Sequence, residues 1–208
     1  MAQGYPVYVW AVEKIARSKT QLESIPNWLL SSGAHVEVVE DCGPITKLLP
    51  ALRKGFETII VADDDRIYGK GWAAGLLQWS LRLPDAVLSY GGRKITCGNY
   101  GKCPKVQCGK LVKPVQIDVP MGAYGILYKS GFFSESIFED WKDCPLNDDL
   151  VVARHLRQRN VKCFVVPGSF SIKATETDKL KPLRRVNKGK NAKHKRNNKG
   201  LRVLGLWC

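Results

Sequence analysis

The chain has 208 residues, 44% of them apolar and 25% charged, which is enough for one buried core and ordinary for a soluble globular domain. Its net charge of +14 is unevenly spread: twelve Lys or Arg against Glu176 and Asp178 put +10 between Lys173 and Arg202 and leave only +4 elsewhere, which argues against a basic nucleic-acid-binding body. There is no apolar run of about 18 residues and no basic-then-apolar N-terminus, which argues against a membrane span and a signal peptide and makes a cytoplasmic protein the expectation. The seven cysteines, Cys42, Cys97, Cys103, Cys108, Cys144, Cys163 and Cys208, are odd in number and scattered, so reduced thiols fit better than a disulfide framework.

Taken in chain order, the body alternates. Pro6 to Ala11 is a short β-rich run, and Lys19 to Ser32 has Leu22, Ile25, Trp28 and Leu29 at helical spacing before Gly33. His35 to Val39 reads as a strand. Pro44 opens a helix with Ile45, Leu48, Leu49 and Leu52 inward, and Thr58 to Ala62 is an apolar strand. Gly71 to Leu81 reads as helix, Ala86 to Tyr90, Val115 to Ile117 and Gly125 to Tyr128 as strands, Asp148 to Arg159 as helix and Val161 to Val166 as strand. Strand and helix taking turns predicts an α/β sandwich with a largely parallel sheet, whose ligands bind beyond the carboxyl ends of the strands. After this body, Asn187 to Gly200 is poor in apolar residues and rich in like charge, the composition of a solvated tail or linker. The apolar return from Leu201 to Trp207 reads either as a cut from a longer polypeptide or as a segment packing back on the body.

Asp63, Asp64 and Asp65 end the apolar strand. Three adjacent carboxylates repel unless a cation or a ring of donors neutralises them, and Mg²⁺ or Mn²⁺ prefers carboxylate and phosphate oxygens. Along a strand Asp63 and Asp65 would share one side, with Asp64 turned away. Asp41 to Lys47 sets a Gly, a helix-opening Pro and a cation together, a device for phosphate or simply a turn with a solvated lysine. Met121 to Gly125 brings two glycines beside Tyr124, permitting close ligand approach or marking a β-bulge. Asn147, Asp148 and Asp149 open the last helix, where Asn147 or Asp148 suits the N-cap and acidic residues in the first turn complement the helix dipole, which explains at least one carboxylate and leaves one for an acceptor hydroxyl. His35 and His155 read as structural. Cys97, Cys103 and Cys108, spaced C-x5-C-x4-C, lack the C-x2-C pairs of a zinc module and read as free thiols in a mobile loop.

Gly43 to Pro50, Thr58 to Tyr68, Gly122 to Tyr128 and Asn147 to Val151, in this order, resemble the GT-A-type, metal-dependent nucleotide-sugar glycosyltransferases, such as the domains encoded by large algal viruses (chloroviruses). The resemblance covers most of residues 5 to 170 and implies a single-domain GT-A (Rossmann-like) sandwich with a mostly parallel central sheet flanked by helices. It divides the chain into a catalytic domain, 1–172, and a basic low-complexity tail or linker to a further domain, 173–208. It further implies a UDP-sugar donor of glucose or rhamnose type, a glycan or glycoprotein acceptor, and Mn²⁺ or Mg²⁺ on Asp65 and Asp63. Asp63 and Asp64 would also approach the ribose, Arg17 and Lys47 would face the nucleotide, and Val9, Trp10 and Ala11 would line the base. Gly122 and Ala123 would border the sugar, with Asp148 or Asp149 on the acceptor side. One departure stands out: the family's late metal-ligating histidine has no counterpart in Ser171 to Thr175, leaving an open or water-filled position or a role for Lys173 on phosphate. If viral, the enzyme would work in the host cytoplasm. The competing reading is a nucleic-acid-binding protein or metal-dependent phosphodiesterase that uses the basic tail.

Overall fold

Each central strand divides its side chains between two apolar layers. In the computed structural model, which describes residues 4–15, 20–21, 24–175 and 195–206, Ile59, Val61, Val87, Ile126, Tyr128, Cys163 and Val165 join one buried cluster. Their neighbours Ile60, Leu88, Leu127 and Phe164 join another on the opposite face. A period of two is what a strand shows when both faces are covered.

The chain opens with β1 (Tyr8–Val12), β2 (Lys14–Ile15), β3 (Thr20–Gln21), α1 (Asn27–Leu30) and β4 (His35–Val39). Then come α2 (Leu49–Arg53), β5 (Thr58–Val61), β6 (Arg66–Tyr68), α3 (Trp72–Arg82), β7 (Ala86–Ser89), β8 (Gly91–Arg93) and β9 (Lys105–Gln107). The remainder is β10 (Val115–Ile117), β11 (Val119–Pro120), β12 (Ile126–Lys129), α4 (Ile137–Asp140), α5 (Asp148–Gln158), β13 (Lys162–Val165), β14 (Ile172–Ala174) and α6 (Lys195–Val203). Side chains of α2, α5 and α6 fill the first cluster and those of α3 the second, so the α/β sandwich forms as three layers.

The five-stranded sheet runs β10-β13-β7-β12-β5. It is not largely parallel. β13 and β7 are parallel, whereas β10 is antiparallel to β13 and β12 is antiparallel to both β7 and β5. β5, β7 and β13 thus share a direction, and each arrives after a helix. β12 arrives through the strand-rich stretch β8–β11 and needs no crossover helix, so it pairs antiparallel. Smaller sheets surround this one: β1 with β4 in parallel, β8 with β9 and β11, β14 with β6, and β2 with β3.

Two helices differ from expectation. In place of a helix over Lys19 to Ser32, Thr20–Gln21 is β3 and, among the described residues of this segment, only Asn27–Leu30 is helical, with Trp28 71% and Leu30 56% exposed. Pro26 is the cause: it disfavours helical backbone at Ile25, so the helix starts after it. The segment opened by Pro44 splits into a 3-10 turn, Gly43–Lys47, followed by α2. Pro50 fits only a first helical turn, which forces that restart.

The apolar end of the expected tail docks on the body. Leu201 is fully buried and Leu204 and Leu206 nearly so. Gly200 lies so close to α5 that an added Cβ would stand 2.9 Å from Leu150 Cδ1 and 3.0 Å from Asn147 Nδ2. The boundary at 172 likewise falls inside an element, since β14 pairs with β6. Among the described residues no helix is long and apolar enough to cross a membrane. Leu201→Ala is expected to lower unfolding free energy by about 2–4 kcal/mol in urea titration, the cost of a large-to-small change in a packed core; a loss below about 0.5 kcal/mol would show that α6 does not hold the fold.

Candidate functional site

β5 stops at Val61, and Asp63 to Asp65 form a turn into β6 rather than a strand extension. The alternation nevertheless survives as exposure, with Asp64 exposed and its two neighbours half-buried. The turn is fixed from both sides. The Asp63 N–H donates to the Tyr68 hydroxyl at 2.9 Å, and Thr175 N–H donates to the Asp65 carbonyl at 2.9 Å. β14 pairs along β6, so the histidine-free segment 171–175 lies beside the aspartates, with Lys173 opposite Ile67. Because Ile126 pairs with both Val61 and Ser89, the start of antiparallel β12 falls at the carboxyl edge of its neighbours and carries Gly122 to Gly125 there.

The GPITK turn is built locally. Asp41 Oδ1 accepts the Gly43 N–H at 2.7 Å, Thr46 Oγ1 accepts the Cys42 N–H at 2.9 Å, and Gly43 takes φ +74°, where a Cβ would meet the Pro145 carbonyl oxygen at 2.5 Å. This conformation favours glycine. It delivers Lys47, whose Nζ stands 2.7 Å from Asp63 Oδ1 and 2.9 Å from Asp148 Oδ2. A Cβ on Gly122 would lie 2.5 Å from that ammonium, so Gly122 is small to leave room for it.

Electrostatics follow from the packing. Burial works against the Lys47 charge, but Asp148, Asp63 and Asp149 outweigh it and hold the lysine well above its ordinary value. Asp149 is pushed up to about 8, first by burial and then by Asp148, against the pull of Lys47 and the Gly122 N–H. That N–H donates to Asp149 Oδ1 at 3.0 Å. The helix cap lies elsewhere than the charges: Asn147 is the N-cap and makes no side-chain capping bond, while Asp148 and Asp149 face the cleft. Asp65 pairs with Arg66 Nε at 3.3 Å.

These groups line a cleft of about 1940 Å³ together with Val9, Trp10, Asp64 and Ala123. A single small-molecule pocket occupies about 300–1,000 Å³, so two substrates can enter. Among the described residues that line it, seven are acidic (Asp41, Glu57, Asp63, Asp64, Asp65, Asp148, Asp149) and four basic (Lys47, Arg66, Arg93, Lys105). Ala11 lies in β1 and Gly122 is buried behind Lys47. Arg17 lies outside the described residues. Tyr124, singled out beside its glycines, also lines the cleft, and sequence reasoning missed Arg93, Tyr100 and Lys105, which line it too; no motif marks these three, and the only signal is the basic, acid-free loop that carries them. His155, with Nδ1 2.8 Å from Asp140 Oδ2 and Nε2 accepting the Ser134 N–H at 3.1 Å, ties α4 to α5 and is structural. The six described cysteines are free thiols.

Among the described residues no group of three or more acidic, His or Cys side chains forms a closed metal cage. Mg²⁺ and Mn²⁺ seldom use one; they take one or two carboxylates together with substrate phosphates. The two carboxylates expected to take a metal, Asp63 and Asp65, are each half-buried in the acidic turn and each already paired with a cation, Asp63 with Lys47 and Asp65 with Arg66, so a metal there would have to share them with these side chains. Comparison of the chain with protein-family models and with curated proteins found no match.

Two measurements check this electrostatic frame. Lys47→Met leaves Asp63 and Asp148 uncompensated, and a loss of about 2 kcal/mol is expected in urea unfolding near neutral pH, between the cost for exposed and for buried pairs; no loss would mean the ammonium does not hold them. Asp149 binds its proton more tightly folded, at about 8, than unfolded, at 3.8, so its contribution to stability is greatest at low pH and falls as pH rises through about 8. In thermal unfolding, Asp149→Asn is therefore expected to gain steadily on the parent from about pH 4 to about pH 8. Parallel profiles would refute the raised value.

Proposed function

We propose that the chain is a metal-dependent glycosyltransferase of GT-A type, moving a hexose of glucose or rhamnose kind from a UDP-sugar to a hydroxyl of a glycan or glycoprotein. The observation that carries this reading is the convergence of Lys47, Asp63, Asp148 and Asp149, from three separate segments, at the carboxyl edge of β5 in a cleft with room for two substrates. The strands β5, β7 and β13 run in one direction and end at that edge, where a ligand of an α/β sheet would be expected.

In this reading β1, through Val9 to Ala11, lines the base, Arg17 faces the nucleotide, and the diphosphate lies over the aspartate turn. Asp63 and Asp65 hold Mn²⁺ or Mg²⁺, with Asp64 beside them; bound there, the ion neutralises the departing diphosphate. Gly122 and Ala123 leave space for the sugar. The bond from the anomeric carbon to the diphosphate breaks, a bond to the acceptor oxygen forms, and a carboxylate takes the hydroxyl proton. Asp149 suits that last role better than Asp148. Asp148 has its charge tied to Lys47, whereas Asp149 titrates at about 8, near the pH at which a general base works best. Phosphodiester chemistry on nucleic acid is less well supported, because the carboxylates of the cleft repel a polyanionic strand.

Calorimetric titration with UDP, GDP and CMP, each with and without Mn²⁺, tests the reading. UDP is expected to bind at least about tenfold more tightly with metal, since a diphosphate beside these carboxylates is repelled without a cation. Equal affinity in excess chelator, or no nucleotide binding at all, would sink it.

A further inference from the structure

The excess positive charge of the described body comes from two segments. From Ala86 to Ile117 the chain has Arg93, Lys94, Lys102, Lys105, Lys110 and Lys113 and no acidic residue, and from Lys195 to Leu206 it has four Lys or Arg and again none. Elsewhere the charges cancel, with nine basic against ten acidic residues over 1–85 and seven against seven over 118–175.

The fold joins these two segments. The Tyr100 N–H donates to Asn198 Oδ1 of α6 at 2.8 Å across 98 positions of sequence. Arg93 lies under the same residue, its Cζ 4.7 Å from the Tyr100 ring centroid, and donates from Nη1 to the Cys103 carbonyl at 2.6 Å. Lys105 stands opposite Arg93 in the β8–β9 register. Arg93, Tyr100, Lys105 and Asn197 line the cleft, while Lys94, Lys102, Lys199 and Arg202, within five positions of them in sequence, are exposed. None of the six cations Arg93, Lys94, Lys102, Lys105, Lys199 and Arg202 is in an ion pair among the described residues. One lip of the cleft is therefore cationic and uncompensated, and it faces a ledge of carboxylates.

We propose that this lip binds an anionic, uronate-bearing glycan whose terminal hydroxyl is the acceptor; the inference rests on the glycosyltransferase reading of the cleft. Charge arrangement selects a glycan over a nucleic acid. A phosphodiester strand entering the cleft must lay phosphates on Asp63, Asp64, Asp65 and Asp148. A sugar chain can leave its carboxylates at the lip and extend an uncharged hydroxyl to Asp149.

The test is fluorescence anisotropy with a labelled hexagalacturonate, a neutral maltohexaose and a single-stranded RNA hexamer, with UDP and Mn²⁺ titrated separately on the same protein. Hexagalacturonate is expected to bind, the neutral sugar to fail, and affinity to fall at least about tenfold in 0.5 M salt. A similar fall is expected in Lys102→Glu/Lys199→Glu/Arg202→Glu, with UDP–Mn²⁺ binding unchanged. All three positions are exposed, and the corresponding triple alanine variant gives the same direction if the charge-reversed one fails to fold. No binding of hexagalacturonate, equal binding of maltohexaose, tighter binding of RNA, or an unaffected variant overturns the proposal. Hexagalacturonate bound at the lip without any UDP binding would sink the transferase reading and leave the anionic-glycan surface standing.

Discussion

A single ammonium between two carboxylates organises this molecule. Lys47 reaches Asp63 at the end of β5 and Asp148 at the start of α5, tying together a 3-10 turn, a strand end and a helix start that are remote in sequence. Two unit charges 4 Å apart at a partly buried site interact by about 4 kcal/mol, so the carboxylates would push these elements apart without a cation among them. The same ammonium explains the glycine at 122, where a side chain would occupy its place. It also separates the adjacent aspartates, pairing directly with Asp148 while Asp149, packed beside it, is pushed up to about 8, mainly by burial.

Strand direction decides what meets at that edge. Had β12 run with its neighbours, its carboxyl end would lie there and Gly122 to Gly125 would fall at the far side of the sheet. Running against them, it brings its start to Val61 and Ser89. The Gly125 backbone at φ +84° then lies against Trp72, whose Nε1 donates to the Tyr124 carbonyl at 3.0 Å. The layer that contains Trp72 thus anchors the glycine segment, from which the Gly122 N–H donates to Asp149.

Much of the site was legible because its chemistry is local. An apolar run ending in Asp63, Asp64 and Asp65 says where a strand meets charge, and Asp41 to Lys47 contains within itself the donors, acceptors and φ-permissive glycine that shape its turn. The Asn147–Asp149 helix start was equally plain, with Asn147 at the cap, but nothing in the segment announces that Asp148 meets a lysine a hundred residues earlier. The helix over Lys19 to Ser32 failed for a nearby reason: its spacing was right, yet Pro26 cut it and no partner surface buries Trp28 or Leu30.

By itself, then, the sequence determined the alternation of strand and helix, the acidic turn and the Gly-Pro turn that carries Lys47, because propensity, periodicity and turn chemistry act over a few residues. Only the tertiary structure decided the direction of β12, the docking of Leu201, Leu204 and Leu206 against α5, and the meeting of Tyr100 with Asn198. Those depend on which apolar faces cover one another and on which distant charges and amides come within hydrogen-bond reach. A charge count along the chain shows two cationic segments, and folding alone places them on one lip of one cleft.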